Sequence, residues 1–157
     1  MKRIFSVLLA MAAVAALVFW APTMKHGSTA LPVVHAQSGC SAGTLTGNYA
    51  FSNPGFTTPG SPVKGIEVPF AAVGVQAFDG AGNISTSYTF AFKGVVSQGL
   101  TSSGTYTVNS DCTGSISFTT GDAAGLNLNM VIIGGGTEIF GIETNPSFAG
   151  TFDAKKQ

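Results

Sequence analysis

The sequence predicts an all-β fold, an eight-stranded antiparallel up-and-down β-barrel, from three observations. From Gly43 onward apolar and polar residues alternate with a period of two, which gives a strand one buried and one wetted face, and no window sustains a helical period. Gly, Asn, Asp and Pro punctuate that alternation. Most links between the alternating runs are short, and short links join only antiparallel neighbours, because a parallel pair needs a crossover of about a dozen residues. A meander with one apolar face protects that face and its own edges by closing into a barrel. A two-sheet sandwich is the alternative arrangement.

The elements follow in order. Strand one is expected over 45–52, with Leu45, Tyr49 and Phe51 on one face. Strand two, 66–78, carries Ile66, Val68, Phe70, Ala72 and Phe78 on one side, interrupted by Gly74 and Gln76. Strand three, 84–96, sets Ile84, Tyr88, Phe90 and Phe92 against Ser85, Ser87, Thr89 and Lys93. Strands four (103–111) and five (114–120) place Tyr106, Val108, Ile116 and Phe118 inward. Strand six, 125–133, contributes Leu126, Leu128, Met130 and Ile132; strand seven is 137–143, and strand eight, 148–154, offers Phe148, Gly150 and Phe152.

Asp79-Gly80-Ala81-Gly82-Asn83 is a tight-hairpin signal, since Gly and Asn tolerate positive φ. It lacks the further acidic ligands of a calcium loop. Gly134-Gly135-Gly136 is followed by no helix and no Lys-Ser/Thr, so it is not a phosphate loop. Gly47-Asn48-Tyr49, Gly104-Thr105-Tyr106 and Gly150-Thr151-Phe152 repeat a glycine-x-aromatic unit, in which the missing side chain makes room for neighbouring rings. The one long connection, 53–65, holds Pro54, Pro59 and Pro62 and is either a binding loop or a strap over one barrel end.

The N-terminus reads as an export signal. Lys2 and Arg3 precede an uncharged apolar run over 4–21, and Val34-His35-Ala36 supplies a small-residue exit, so 1–36 is expected to be a signal peptide and 37–157 a single barrel domain. The expected location is periplasmic, extracellular or cell-surface, with no membrane span after cleavage. An uncleaved 4–21 anchor is the alternative. Cys40 and Cys112 are the only two cysteines, and an even count in an exported chain favours one disulfide between them. Its loop of roughly 70 residues would stabilise by about 4 kcal/mol. The rival use of Cys40 is N-terminal lipidation, for which Gln37 is the wrong residue type.

The segment 37–157 keeps four lysines (Lys64, Lys93, Lys155, Lys156) against all seven acidic residues, a net charge of −3 that argues against nucleic acid as a partner. Both histidines, His26 and His35, lie before it. Without His, and with the cysteines paired, Ser–His triads, imidazole metal sites and thiol nucleophiles are excluded, so no metal or cofactor is expected. What remains is carboxylate or tyrosine acid–base chemistry at the barrel mouth, with Glu67, Glu143, Tyr49, Tyr88 and Tyr106 as candidates. Glu67 opens strand two and Glu143 closes strand seven, which places both as solvated rim charges. The many inward rings point to a filled interior rather than a pocket for a small apolar ligand. Outward Ala71, Val73, Val75 and Ala77 on strand two, and Val131, Ile133, Phe140 and Ile142 on strands six and seven, predict a homo-oligomer joined head-to-tail, such as a trimer.

The run from Gly104-Thr-Tyr-Thr-Val-Asn-Ser-Asp-Cys-Thr-Gly to Ser115, with Phe78-Asp-Gly-Ala-Gly-Asn-Ile-Ser85, resembles a family of uncharacterised secreted bacterial proteins grouped with allene oxide cyclase-like barrels and the dirigent proteins. The resemblance covers about 43–154 and implies a calycin-like eight-stranded barrel, often a trimer. It carries over no catalytic residue. The expected function is a non-enzymatic binding or structural module of the envelope or exterior. The alternatives are a small-molecule isomerase or cyclase working at the barrel mouth near 53–65, and a surface adhesin or matrix subunit.

Overall fold

Period-two alternation becomes eight strands that close into one antiparallel barrel. The computed structural model describes residues 39–58 and 67–157. The expected signal peptide and the centre of the long connection, Lys64 included, lie outside the described residues. The strands are β1 (Thr46–Thr57), β2 (Pro69–Asp79), β3 (Asn83–Phe92), β4 (Val95–Val108), β5 (Thr113–Gly121), β6 (Asn127–Ile133), β7 (Glu138–Glu143) and β8 (Phe148–Lys156). Each pairs with the next, and β8 pairs with β1 to close the wall. Among the described residues no helix is long and apolar enough to cross a membrane.

The two largest boundary differences from expectation have local reasons. A single strand is expected over 84–96, yet the chain reverses at Lys93-Gly94, where φ is 52° and 77°. Two successive positive φ values make the tight reversal that suits hairpin twist, so β4 begins at Val95. β1 extends through Pro54 to Thr57, which shortens the long connection. Proline cannot donate to a ladder, and the β1–β8 pairing skips Asn53 and Pro54. The Asn53 side chain fills that gap, its Nδ2 donating to the Thr151 carbonyl at 2.8 Å.

The two ends of the barrel are built differently. At the latch end lie the β2–β3, β4–β5 and β6–β7 turns and residues 39–45. Asp79 accepts hydrogen bonds from the backbone N–H groups of Ala81 (2.7 Å) and Asn83 (2.9 Å), which shapes the predicted hairpin turn. Cys40 and Cys112 are disulfide-bonded across 72 residues, with their Cα atoms 5.0 Å apart. This bond holds a single 3-10 turn, Ala42–Thr44, and the fully buried Leu45 over the barrel. Beneath them Tyr49, Phe78 and Tyr106 pack edge to face, both ring pairs at 5.1 Å, with Ile84, Ile116, Met130, Ile132 and Ile139 closing the layer. This half of the interior is filled, as the ring count predicts.

Candidate functional site

The other half of the interior is hollow. Its inward positions include Gly55, Ala72, Gly74, Thr86, Ser102 and Gly150, which occupy too little volume to meet across the barrel. The rings there line the walls in pairs: Phe51 lies 6.0 Å from Phe152 and 6.4 Å from Tyr88, and Phe70 lies 5.8 Å from both Phe90 and Phe148. They bound a cavity of about 550 Å³, within the usual range for small-molecule sites. The expectation of a filled interior therefore holds for only half of the barrel.

The cavity reaches the mouth end, which carries the β1–β2, β3–β4, β5–β6 and β7–β8 connections. Exposed Asp122, Ala124 and Gly125 form part of its lining. The rim is tied down: the Asp122 carboxylate accepts from the Thr101 N–H at 2.9 Å. Asn145 Oδ1 accepts from the Asn127 N–H at 2.6 Å, and Asn145 Nδ2 donates to the Gly125 carbonyl at 2.9 Å. These bonds hold the β5–β6 connection against the β7–β8 connection, giving the mouth a fixed edge.

Of the two carboxyls that line the cavity, Glu143 is the buried one. It is the last residue of β7 and shares the inward parity of Ile139 and Gly141, so it points into the barrel. It is only 8% exposed, which corrects the expectation of a solvated rim charge. Asn53, already anchored to Thr151, also hydrogen-bonds the Glu143 side chain, while Oε2 has no partner. Burial raises the carboxyl above its ordinary pKa, and the Asn53 bond only partly opposes that shift. A second orphan acceptor lines the same cavity, the Oε1 of Gln76, a residue 3% exposed. Native proteins rarely leave buried polar atoms unpartnered, and such atoms commonly await a ligand or water.

The other candidates separate. Tyr88 lines the same cavity from β3, and burial raises its phenol pKa. Tyr49 and Tyr106 do not reach it; they belong to the filled half. Tyr49 donates to the Gly136 carbonyl, and the Tyr106 hydroxyl lies 2.9 Å from the Ala42 carbonyl and 3.1 Å from that of Leu45. Glu67 is exposed, precedes β2 and is not part of the cavity lining. Among the described residues no group of three His, Cys, Asp or Glu could hold a metal.

No protein-family model and no curated protein matches this chain. The site is therefore read from its own chemistry. Gln76 and Asn53 are the residues that sequence reasoning passed over. Gln76 looks like a flaw in an apolar face, yet its parity with Phe70 and Ala72 fixes it inward. An inward polar residue on a core strand is the signal that marks the site.

Proposed function

We propose that this chain is an exported barrel that binds one small, mostly apolar molecule in its half-hollow interior, as a non-enzymatic binding module. One observation carries the reading: a ring-lined cavity of about 550 Å³ whose wall holds two buried, partnerless polar side-chain atoms. The rings supply contact area and the polar atoms supply orientation, the division of labour usual in small-molecule sites. Export is supported by the basic, apolar and small-residue order of 1–36 and by the Cys40–Cys112 disulfide, which persists in oxidising compartments.

The test uses a neutral phenylnaphthylamine, whose fluorescence rises in apolar surroundings. One dye should bind per chain, and Ala72→Trp, which fills the cavity from β2, should abolish the signal. No enhancement, or enhancement that survives Ala72→Trp, would sink the proposal.

The second reading is a cofactor-free isomerase or cyclase, favoured by the buried Glu143 carboxyl, whose Oε2 has no partner and whose pKa burial raises. Held neutral, such a group can donate a proton to a bound oxygen and take one back from carbon, as general acid–base catalysis requires. A binding module returns its ligand unchanged. Rearrangement of the bound molecule, lost in Glu143→Gln, would favour the enzyme.

The exposed apolar residues of β2 and of β6–β7 support a homo-oligomer, in which the two patches meet head-to-tail between subunits as in a trimer. The same patches would serve an adhesin or matrix subunit.

A further inference from the structure

We propose that the molecule held in this cavity is an apolar amine, bound as its cation with the ammonium group at Glu143. This inference rests on the binding reading above and specifies its ligand class.

The lining has a single electrostatic sign. Among the described residues, its ionisable side chains are Glu143, Asp122 and the phenol of Tyr88, and no basic group joins them. Both partnerless atoms, Glu143 Oε2 and Gln76 Oε1, are hydrogen-bond acceptors. A ligand carboxylate or phosphate would bring a third negative charge to a site without a counter-charge. A ligand that donates hydrogen bonds satisfies an orphan acceptor. One that also carries positive charge offsets the cost of ionising Glu143 in an apolar surrounding.

The rings act in the same direction. The faces of Phe and Tyr carry negative quadrupole density that attracts cations, most strongly where water is excluded. The tip of Phe70 and the Glu143 carboxylate share the space above Gly150: a Cβ built there would lie 3.0 Å from Phe70 Cζ and 2.8 Å from Glu143 Oε2. The Glu143 carboxylate and the Phe70 ring therefore lie together in the cavity wall, alongside the other lining rings. The groups packed around the carboxyl are neutral, namely Asn53 on β1, Phe70 on β2 and Gly150 on β8. Lys93 at the β3–β4 turn is exposed, with Nζ 5.3 Å from the centroid of the Phe92 ring.

The experiment compares naphthylmethylamine, naphthylmethanol and naphthoate, which share one apolar body, by calorimetric titration of the full-length exported protein. The amine should bind about tenfold more tightly than the alcohol, and the carboxylate most weakly. The amine's affinity should rise with pH through the Glu143 pKa, because the carboxyl must ionise to pair with it. Glu143→Gln should erase the preference for amine over alcohol, the two ligands binding that variant with equal affinity. Equal or tighter binding of the alcohol or the carboxylate would overturn the amine assignment and leave the binding reading standing. Failure of all three to bind would overturn the binding reading itself. Survival of the amine preference in Glu143→Gln would remove Glu143 from the assignment.

Discussion

The carboxylate of Glu143 occupies the space that a side chain at residue 150 would fill, since a Cβ on Gly150 would stand 2.8 Å from its Oε2. The glycine is thus part of the site, although it contributes no chemistry. Gly150→Ala meets the movable ends of Glu143 and Phe70, so its stability cost should be about 1 kcal/mol, with ligand affinity reduced. Gly104 differs: a Cβ there would lie 2.0 Å from the Ser117 carbonyl oxygen and 2.7 Å from Phe118 Cα, both backbone atoms. Gly104→Ala should cost about 3 kcal/mol or more while leaving the mouth unchanged. Urea unfolding of both variants, with dye titration, checks the contrast.

Stability should fall as pH rises through the Glu143 titration. Burial raises this carboxyl's pKa in the folded chain, so folding retains a proton that the unfolded chain has released. The stabilisation is complete below the ordinary carboxyl range and is lost as pH climbs through the folded value. Asp79 and Asp111 have the opposite sign. Hydrogen bonds from Asn83 and Thr113 lower their pKa values, so their contribution is present above the ordinary range and disappears in acid. Glu143→Gln should gain on the order of 1 kcal/mol over the natural protein at about pH 8, and little at about pH 4. Equal urea midpoints for the two proteins at the higher pH would place Glu143 in solvent.

The disulfide clamps the latch end. Reduction, or Cys40→Ser with Cys112→Ser, should destabilise the barrel by about 2–4 kcal/mol, near what a loop of this size releases to the unfolded chain. Tyr106→Phe, which loses its bonds to the Ala42 and Leu45 carbonyls, should cost about 1 kcal/mol. Neither change touches the cavity, so dye binding should persist wherever the protein remains folded. Loss of binding in folded Tyr106→Phe would show that the two halves of the interior are coupled.

The outer patches predict assembly. Val131 and Phe140 face each other across β6–β7 and are 47% and 42% exposed, while Val73 on β2 is 56% exposed. Light scattering should report a trimer, and Phe140→Asp should yield monomer. A monomeric mass for the natural protein at high concentration would contradict the head-to-tail arrangement.

Much of this molecule is legible in its alternation. Strand parity places Phe70, Phe90, Phe118 and Phe152 on the inner side, and the Asp79–Asn83 hairpin and the cysteine pair follow from turn and compartment chemistry. The Lys93-Gly94 reversal is not legible, because Phe92 to Val96 keeps strand composition on both sides of it. The hollow half is hidden for another reason. Periodicity assigns faces but not volumes, and whether Phe51 and Phe152 meet Phe90 across the barrel depends on Gly55, Ala72 and Gly150 in other strands. Glu143 reads as a rim charge because it ends its strand, whereas its parity directs it inward.

The central claim, that the barrel holds a small molecule inside its mouth half, is tested most directly by methyl NMR on the protein titrated with phenylnaphthylamine. Contacts between the dye and the methyl groups of Ala72, Leu100 and Leu128, all lining the cavity, are the predicted result. Contacts confined to Val73, Val131 and Ile142 on the outer surface would contradict it.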